Sequence, residues 1–181
     1  MKQLLLICAV VMGQSGLAAD KKPLTKEESA KVIEAAIRKA AKKPEGELTK
    51  ADYEKVKTVV LNDLQLTDVK GLEQLTNLKV LYLSRNKLTD VKGLEKLTKL
   101  EELYLNNNQL TSAKGLEKLT QLEGLVLGDN PDLTKAQIDQ LQKALPKCEI
   151  SHNAKAAKKK KPTKRKKAAK KRVAKKKSAK K

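Results

Sequence analysis

The stretch EKVKTVVLNDLQLTDVKGLEQL, residues 54–75, decides the fold, because the chain then repeats it. TNLKVLYLSRNKLTDVKGLEKL follows from Thr76, and TKLEELYLNNNQLTSAKGLEKL from Thr98. TQLEGLVLGDNPDLTKAQIDQL, from Thr120, keeps the pattern with one extra residue after Asn130. A fixed period of this size predicts a solenoid, in which each unit buries its apolar side only against its neighbours. Alternating leucines such as Leu81 and Leu83 suit a short strand with one face buried, and stacking such units pairs the strands into a parallel sheet. Val69, Leu72 and Leu75, then Val91, Leu94 and Leu97, recur every three residues. That spacing predicts a 3₁₀-like or short helical return on the convex side. Gly71, Gly93 and Gly115 fall where this return turns tightly.

The second and third units read L-x-x-L-x-L-x-x-N-x-L through Leu78, Leu81, Leu83, Asn86 and Leu88, and through Leu100, Leu103, Leu105, Asn108 and Leu110. This resembles the leucine-rich repeat family over about half the chain, and the LTDVKGLEKL half looks most like the internalin-type subclass with its 22-residue unit. The resemblance implies an α/β solenoid of about four repeats with a parallel sheet on its concave face. It also implies an asparagine ladder through Asn86, Asn108 and Asn130. Buried amides at those positions can satisfy backbone groups freed where strand bends into loop, so a structural role is expected for all three. The first unit departs with Leu64, as a terminal repeat can.

A solenoid needs atypical segments over its ends. Thr25 with Glu28 forms a capping-box pattern, and Val32, Ile33, Ala36, Ile37 and Ala40 recur at helical spacing. A helix over about 26–42 is predicted, stopped by Pro44 and Gly46, with a second short turn starting at Thr49 and Asp52. At the other end Thr134 and Gln137 open a helix carrying Ile138, Leu141 and Leu145, followed by a last strand at 147–150. The expected organisation is a signal peptide at 1–19, an N-terminal helical cap at 20–53, four repeats at 54–141, a C-terminal cap at 142–153 and a disordered basic tail at 154–181.

Lys2, the apolar run Leu4–Met12 and the small residues before Asp20 read as a cleaved export signal of bacterial length. The run is too short to span a bilayer, and Cys8 lies too early for a lipoprotein signal. An ordinary buried helix is the weaker alternative. A periplasmic, cell-surface or secreted location follows from the signal. Removing it leaves Cys148 as the one cysteine, expected as a small buried hydrophobe beside Ile150. His152 is the one histidine and reads as a surface residue.

Of the 41 basic residues, 17 lie in Ala154–Lys181, which has no acidic residue; the remaining 24 face 21 acidic residues, a net of +3. Such a block repels itself and cannot bury apolar surface. Its Lys and Ala content resembles linker-histone tails in composition only. Lys158, Lys159, Lys160, Lys161, Lys164, Arg165, Lys166, Lys167, Lys170, Lys171 and Arg172 are the expected polyanion-binding residues. Without aromatic residues to stack bases, recognition would rest on charge, toward an envelope polymer, an anionic lipid or DNA. A tail that only aids solubility is the plain alternative.

On each strand the residues between the buried leucines face the concave side. One column is Val60, Tyr82, Tyr104 and Val126, flanked by Asn62, Ser84, Asn106 and Gly128 and by Thr58, Val80, Glu102 and Gly124. Val60, Tyr82, Tyr104, Val126, Asn62, Ser84 and Asn106 are the candidate binding residues, since tyrosine is enriched where proteins meet. Equally, β-branched and aromatic residues simply suit strands. No Ser/His/Asp set, metal cluster or phosphate loop is visible, so no enzyme, cofactor, metal or small-molecule substrate is expected. A monomeric, exported protein-interaction module with a polyanion-binding tail is the leading reading. A DNA-associated protein whose repeats recruit a partner, and a purely structural envelope protein, are the alternatives.

Overall fold

The computed structural model describes residues 22–154. The expected signal peptide at 1–19 and the lysine-rich segment from 155 onward lie outside these residues. The elements run α1 (Lys26–Ala40), α2 (Lys50–Lys55), β1 (Thr58–Val60), β2 (Val80–Tyr82), β3 (Glu102–Tyr104), β4 (Gly124–Val126), α3 (Lys135–Ala144) and β5 (Glu149–Ser151). Single 3₁₀ turns at Leu72–Gln74, Leu94–Lys96 and Leu116–Lys118 lie between successive strands. All neighbouring strands pair in parallel, in sequence order β1 to β5.

The repeat period becomes strand register directly. Leu81 lies between Val59 and Leu103, and Leu125 between Leu103 and Ile150. These leucines point inward together with Leu72, Leu94 and Leu116 from the 3₁₀ turns, all essentially inaccessible to solvent. The core is therefore a slab of leucine between the sheet and the returning turns. The glycines that open each turn, Gly71, Gly93 and Gly115, have φ of 103°, 97° and 101°, a region that side chains disfavour. Each turn is also tied by a carboxylate: Glu73, Glu95 and Glu117 accept from the amides of Gly71, Gly93 and Gly115, each at 2.6 Å.

The caps follow their sequence signals. In α1 the Glu28 amide donates to Thr25 Oγ1 and the Thr25 amide to Glu28 Oε2, while Ile33 and Ile37 are buried against the first repeat. The helix ends at Ala40 rather than 42, because Lys42 takes a left-handed conformation with φ 56°. Below it, Asp52 accepts from Lys43 Nζ at 2.8 Å, Lys55 Nζ at 3.3 Å and the Thr49 amide at 3.0 Å, locking the 42–48 loop onto α2. At the other end α3 crosses position 141, where the fourth 22-residue unit closes, and buries Ile138 and Leu141. The last strand begins at Glu149, later than the expected 147: the Cys148 amide still bonds back to Leu145 O at 3.2 Å, and only the Glu149 amide reaches β4, at Glu123 O, 2.8 Å.

Candidate functional site: the concave sheet face

With the middle residue of each strand packed against the core, the concave face consists of three columns. The middle column holds Val60, Tyr82, Tyr104, Val126 and, added by β5, Ser151. Tyr82 and Tyr104 stack with ring centroids 4.6 Å apart and planes 12° from parallel. Val60 beside them is 61% exposed, the one large hydrophobic side chain left exposed among the described residues. Beyond the stack, Tyr82 is registered with Val60 of β1 and Tyr104 with Val126 of β4.

The first flanking column runs Thr58, Val80, Glu102, Gly124 and Glu149. Tyr104 Oη donates to Glu102 Oε2 at 2.8 Å, and this bond to a carboxylate raises the Tyr104 phenol above its ordinary value of 10.0. The third column is a hydrogen-bonded chain: the Ser84 amide donates to Asn62 Oδ1 at 2.8 Å, and Ser84 Oγ donates to Asn106 Oδ1 at 2.7 Å. Gly124 and Gly128 leave β4 with Val126 as its one concave side chain; a Cβ at Gly128 would meet nothing within 4 Å.

Asn86, Asn108 and Asn130 lie away from this face, buried at the bend after each strand. Asn86 Oδ1 accepts from the Leu64 and Leu66 amides at 3.2 and 3.0 Å, and its Nδ2 donates to Leu61 O and Leu83 O at 2.7 and 3.0 Å. Asn130 repeats the pattern with the Leu110 amide, Leu105 O and Leu127 O, all at 3.0 Å. These amides hold one repeat to the previous one, and burial keeps them from a ligand on the concave face.

Sequence reading did not reveal the rim. Asp63, Arg85, Asn107 and Asp129 each take φ between 54° and 61° just past the third column. Asp and Asn there were a readable signal for a left-handed residue; Arg85 was not. Cys148 is buried, and burial pushes its thiol above the usual range. The Lys158–Arg172 cluster lies outside the described residues. Among the described residues, no group of three or more His, Cys, Asp or Glu side chains could hold a metal ion.

A five-stranded parallel sheet backed by leucines and short turns, with an unpartnered concave face, defines a repeat-built binding scaffold. Two family profiles match it: one described as leucine rich repeat over residues 55–110, and one described as leucine rich repeats (2 copies) over residues 98–143. The chain belongs to the leucine-rich repeat family. Internalin C2 from Listeria monocytogenes shares the fold at 24% identity and a TM-score of 0.58, the match covering 72% of this chain and 60% of that one. A second internalin from Listeria monocytogenes matches at 24% identity and a TM-score of 0.51, over 70% of this chain and 44% of that one. A leucine-rich repeat protein of Leptospira interrogans is 35% identical over 58% of this chain and 28% of its own, with a TM-score of 0.51. The chain thus spans less than two thirds of the length of each of these structures. No curated protein matches the sequence.

Proposed function

We propose that this is an exported, non-enzymatic binding protein whose concave face recognises a protein partner and whose segment 154–181 binds polyanions. The observation that carries the partner reading is the apolar stripe itself: exposed Val60 next to the stacked Tyr82–Tyr104 pair, on a sheet face that no element of the described residues covers. Stacking and the Tyr104–Glu102 bond hold the rings in place, so a partner meets a preorganised surface and little side-chain freedom is lost on binding. The polyanion reading rests on charge: 17 Lys or Arg residues without an acidic one, beside a remainder of net +3.

The two activities differ in salt dependence. Counterion release makes log K fall by up to ~0.9 per phosphate neutralised for each roughly tenfold rise in salt, whereas an apolar stripe responds little to salt. Deleting 154–181 is expected to abolish heparin or DNA binding and spare partner capture, while Tyr82→Ala with Tyr104→Ala does the reverse. A tail-less protein that still bound heparin with the full salt slope would overturn the assignment to the tail. Unchanged partner capture by the double tyrosine variant would overturn the assignment to the face.

A further inference from the structure

The concave face is not uniform. Toward its C-terminal end the middle strand is almost bare, because β4 presents Gly124, Val126 and Gly128. On one side stand Glu102, Tyr104 and Asn106 from β3 and its extension; on the other stand Glu149 and Ser151 of β5, then Asn153. Walls two strand spacings apart, about 10 Å, enclose a trough floored by Val126. One end lies between the Glu102 and Glu149 carboxylates, with Glu123 exposed beside it. Asn153 and Asp129 close the other end by exchanging two hydrogen bonds, at 2.6 and 2.8 Å. No lysine or arginine stands in these columns of β3, β4 and β5. Glu102 is held over the trough by Tyr104 Oη at 2.8 Å, and the Tyr104 face not covered by Tyr82 borders Val126.

An apolar floor, an aromatic wall and carboxylates at the far end match one kind of group. An extended lysine side chain lays its methylenes on Val126 and Tyr104 and brings its ammonium to the carboxylates. We propose that the occupant is this chain's own basic segment, residues 155–181, docked in the trough and released when that segment binds a polyanion. The proposal rests on the polyanion-binding role argued above and adds its regulation. The segment starts directly after Ala154, at the Asn153–Asp129 end. Gly124 to Gly128 spans four residues, about 13 Å of strand. A turn of a few residues therefore places Lys158–Lys161, the first lysine run, along the trough. Tethering supplies an effective concentration in the millimolar range, so even weak lysine–carboxylate contacts populate the docked state at low salt. A polyanion competes for the same lysines, so its arrival bares the C-terminal half of the concave face for a partner.

The test follows the backbone amide signals of Gly124, Val126 and Gly128 by NMR in the ¹⁵N-labelled full chain, without any partner. Spectra are compared at ~0.01 M salt, where the Debye length is ~30 Å, and at ~1 M, where it is ~3 Å. Docking predicts that at low salt these three signals differ between the full chain and a variant with Lys158→Ala, Lys159→Ala, Lys160→Ala and Lys161→Ala, and coincide at high salt. Heparin added to the full chain should move them to the variant's positions. Gly128→Thr, which fills the trough at a site with open space, and Glu102→Gln with Glu149→Gln should each remove the difference while the other repeat signals stay put. Signals that coincide at low salt would overturn the proposal. So would signals that depend on protein concentration, which would mark a second copy as the occupant, or signals indifferent to heparin. Because no partner is present, these outcomes are separate from the fate of the tyrosine stripe.

Discussion

The Asn108 side-chain nitrogen donates to the carbonyl of Leu83, 25 positions earlier in the chain, at 2.9 Å. The same amide donates to Leu105 O at 3.0 Å and accepts from the Leu88 amide at 3.1 Å, so one buried side chain serves three backbone groups in two repeats. Asn108→Leu removes all three bonds and leaves those groups dry. The expected cost is ~1–3 kcal/mol, the penalty for stranded buried polar groups. Chemical denaturation checks this; an unchanged midpoint would show that the ladder carries no stability.

Gly93 makes a second, backbone prediction. Its φ is 97°, yet a Cβ would meet only Glu73 atoms at 3.8–3.9 Å, an ordinary contact. Gly93→Ala should therefore destabilise through conformation rather than crowding, by roughly 1–3 kcal/mol. Gly128→Ala, where space is open and φ is not left-handed, should lie within about 0.5 kcal/mol of wild type. Equal losses at the two sites, measured by thermal melting, would contradict this account.

Asp52 sets an acid limit on the N-terminal cap. Its bonds with Lys43 and Thr49, then the weaker one with Lys55, hold its carboxyl well below the ordinary 3.8. A depressed folded-state pKa contributes stability that is complete above the unfolded value and is lost as pH falls below about 3.8 toward the folded value. Asp52→Asn should therefore be less stable than wild type near neutrality, and the gap should close as pH falls through that window. A gap that persisted unchanged at pH 2 would assign the loss to packing instead.

Limited trypsin digestion should trim the chain quickly beyond residue 153 and leave a resistant core. The motivation is the change from apolar periodicity to lysine runs after Asn153. Mass spectrometry of the early fragments decides it: first cuts at the exposed repeat lysines Lys70 or Lys92 would place the weakest backbone inside the solenoid.

Much of the architecture was readable because a fixed period converts sequence alignment into strand register. Once Tyr82 and Tyr104 align 22 residues apart, their adjacency needs only parallel pairing. The Asn86, Asn108 and Asn130 ladder was readable for the same reason. The interactions that escaped are those the period does not encode. Glu73, Glu95 and Glu117 do recur, but charged residues on an outer turn ordinarily mean solvent, and nothing in their spacing points to the glycine amides they cap. Asp52 meets Lys43 through a loop whose path depends on how α1 packs. The trough depends on two residues without side chains, Gly124 and Gly128, whose effect appears only when the walls on β3 and β5 stand beside them.

The ladder also has a direction in time. The bends after β1, β2 and β3 are each braced by an asparagine from the unit that comes next: Leu66 by Asn86, Leu88 by Asn108, Leu110 by Asn130. A ribosome releases the chain from the N-terminus, so each unit emerges before its brace. At ~5–20 residues per second, the 20 residues from Leu66 to Asn86 leave each bend unbraced for roughly one to four seconds during synthesis.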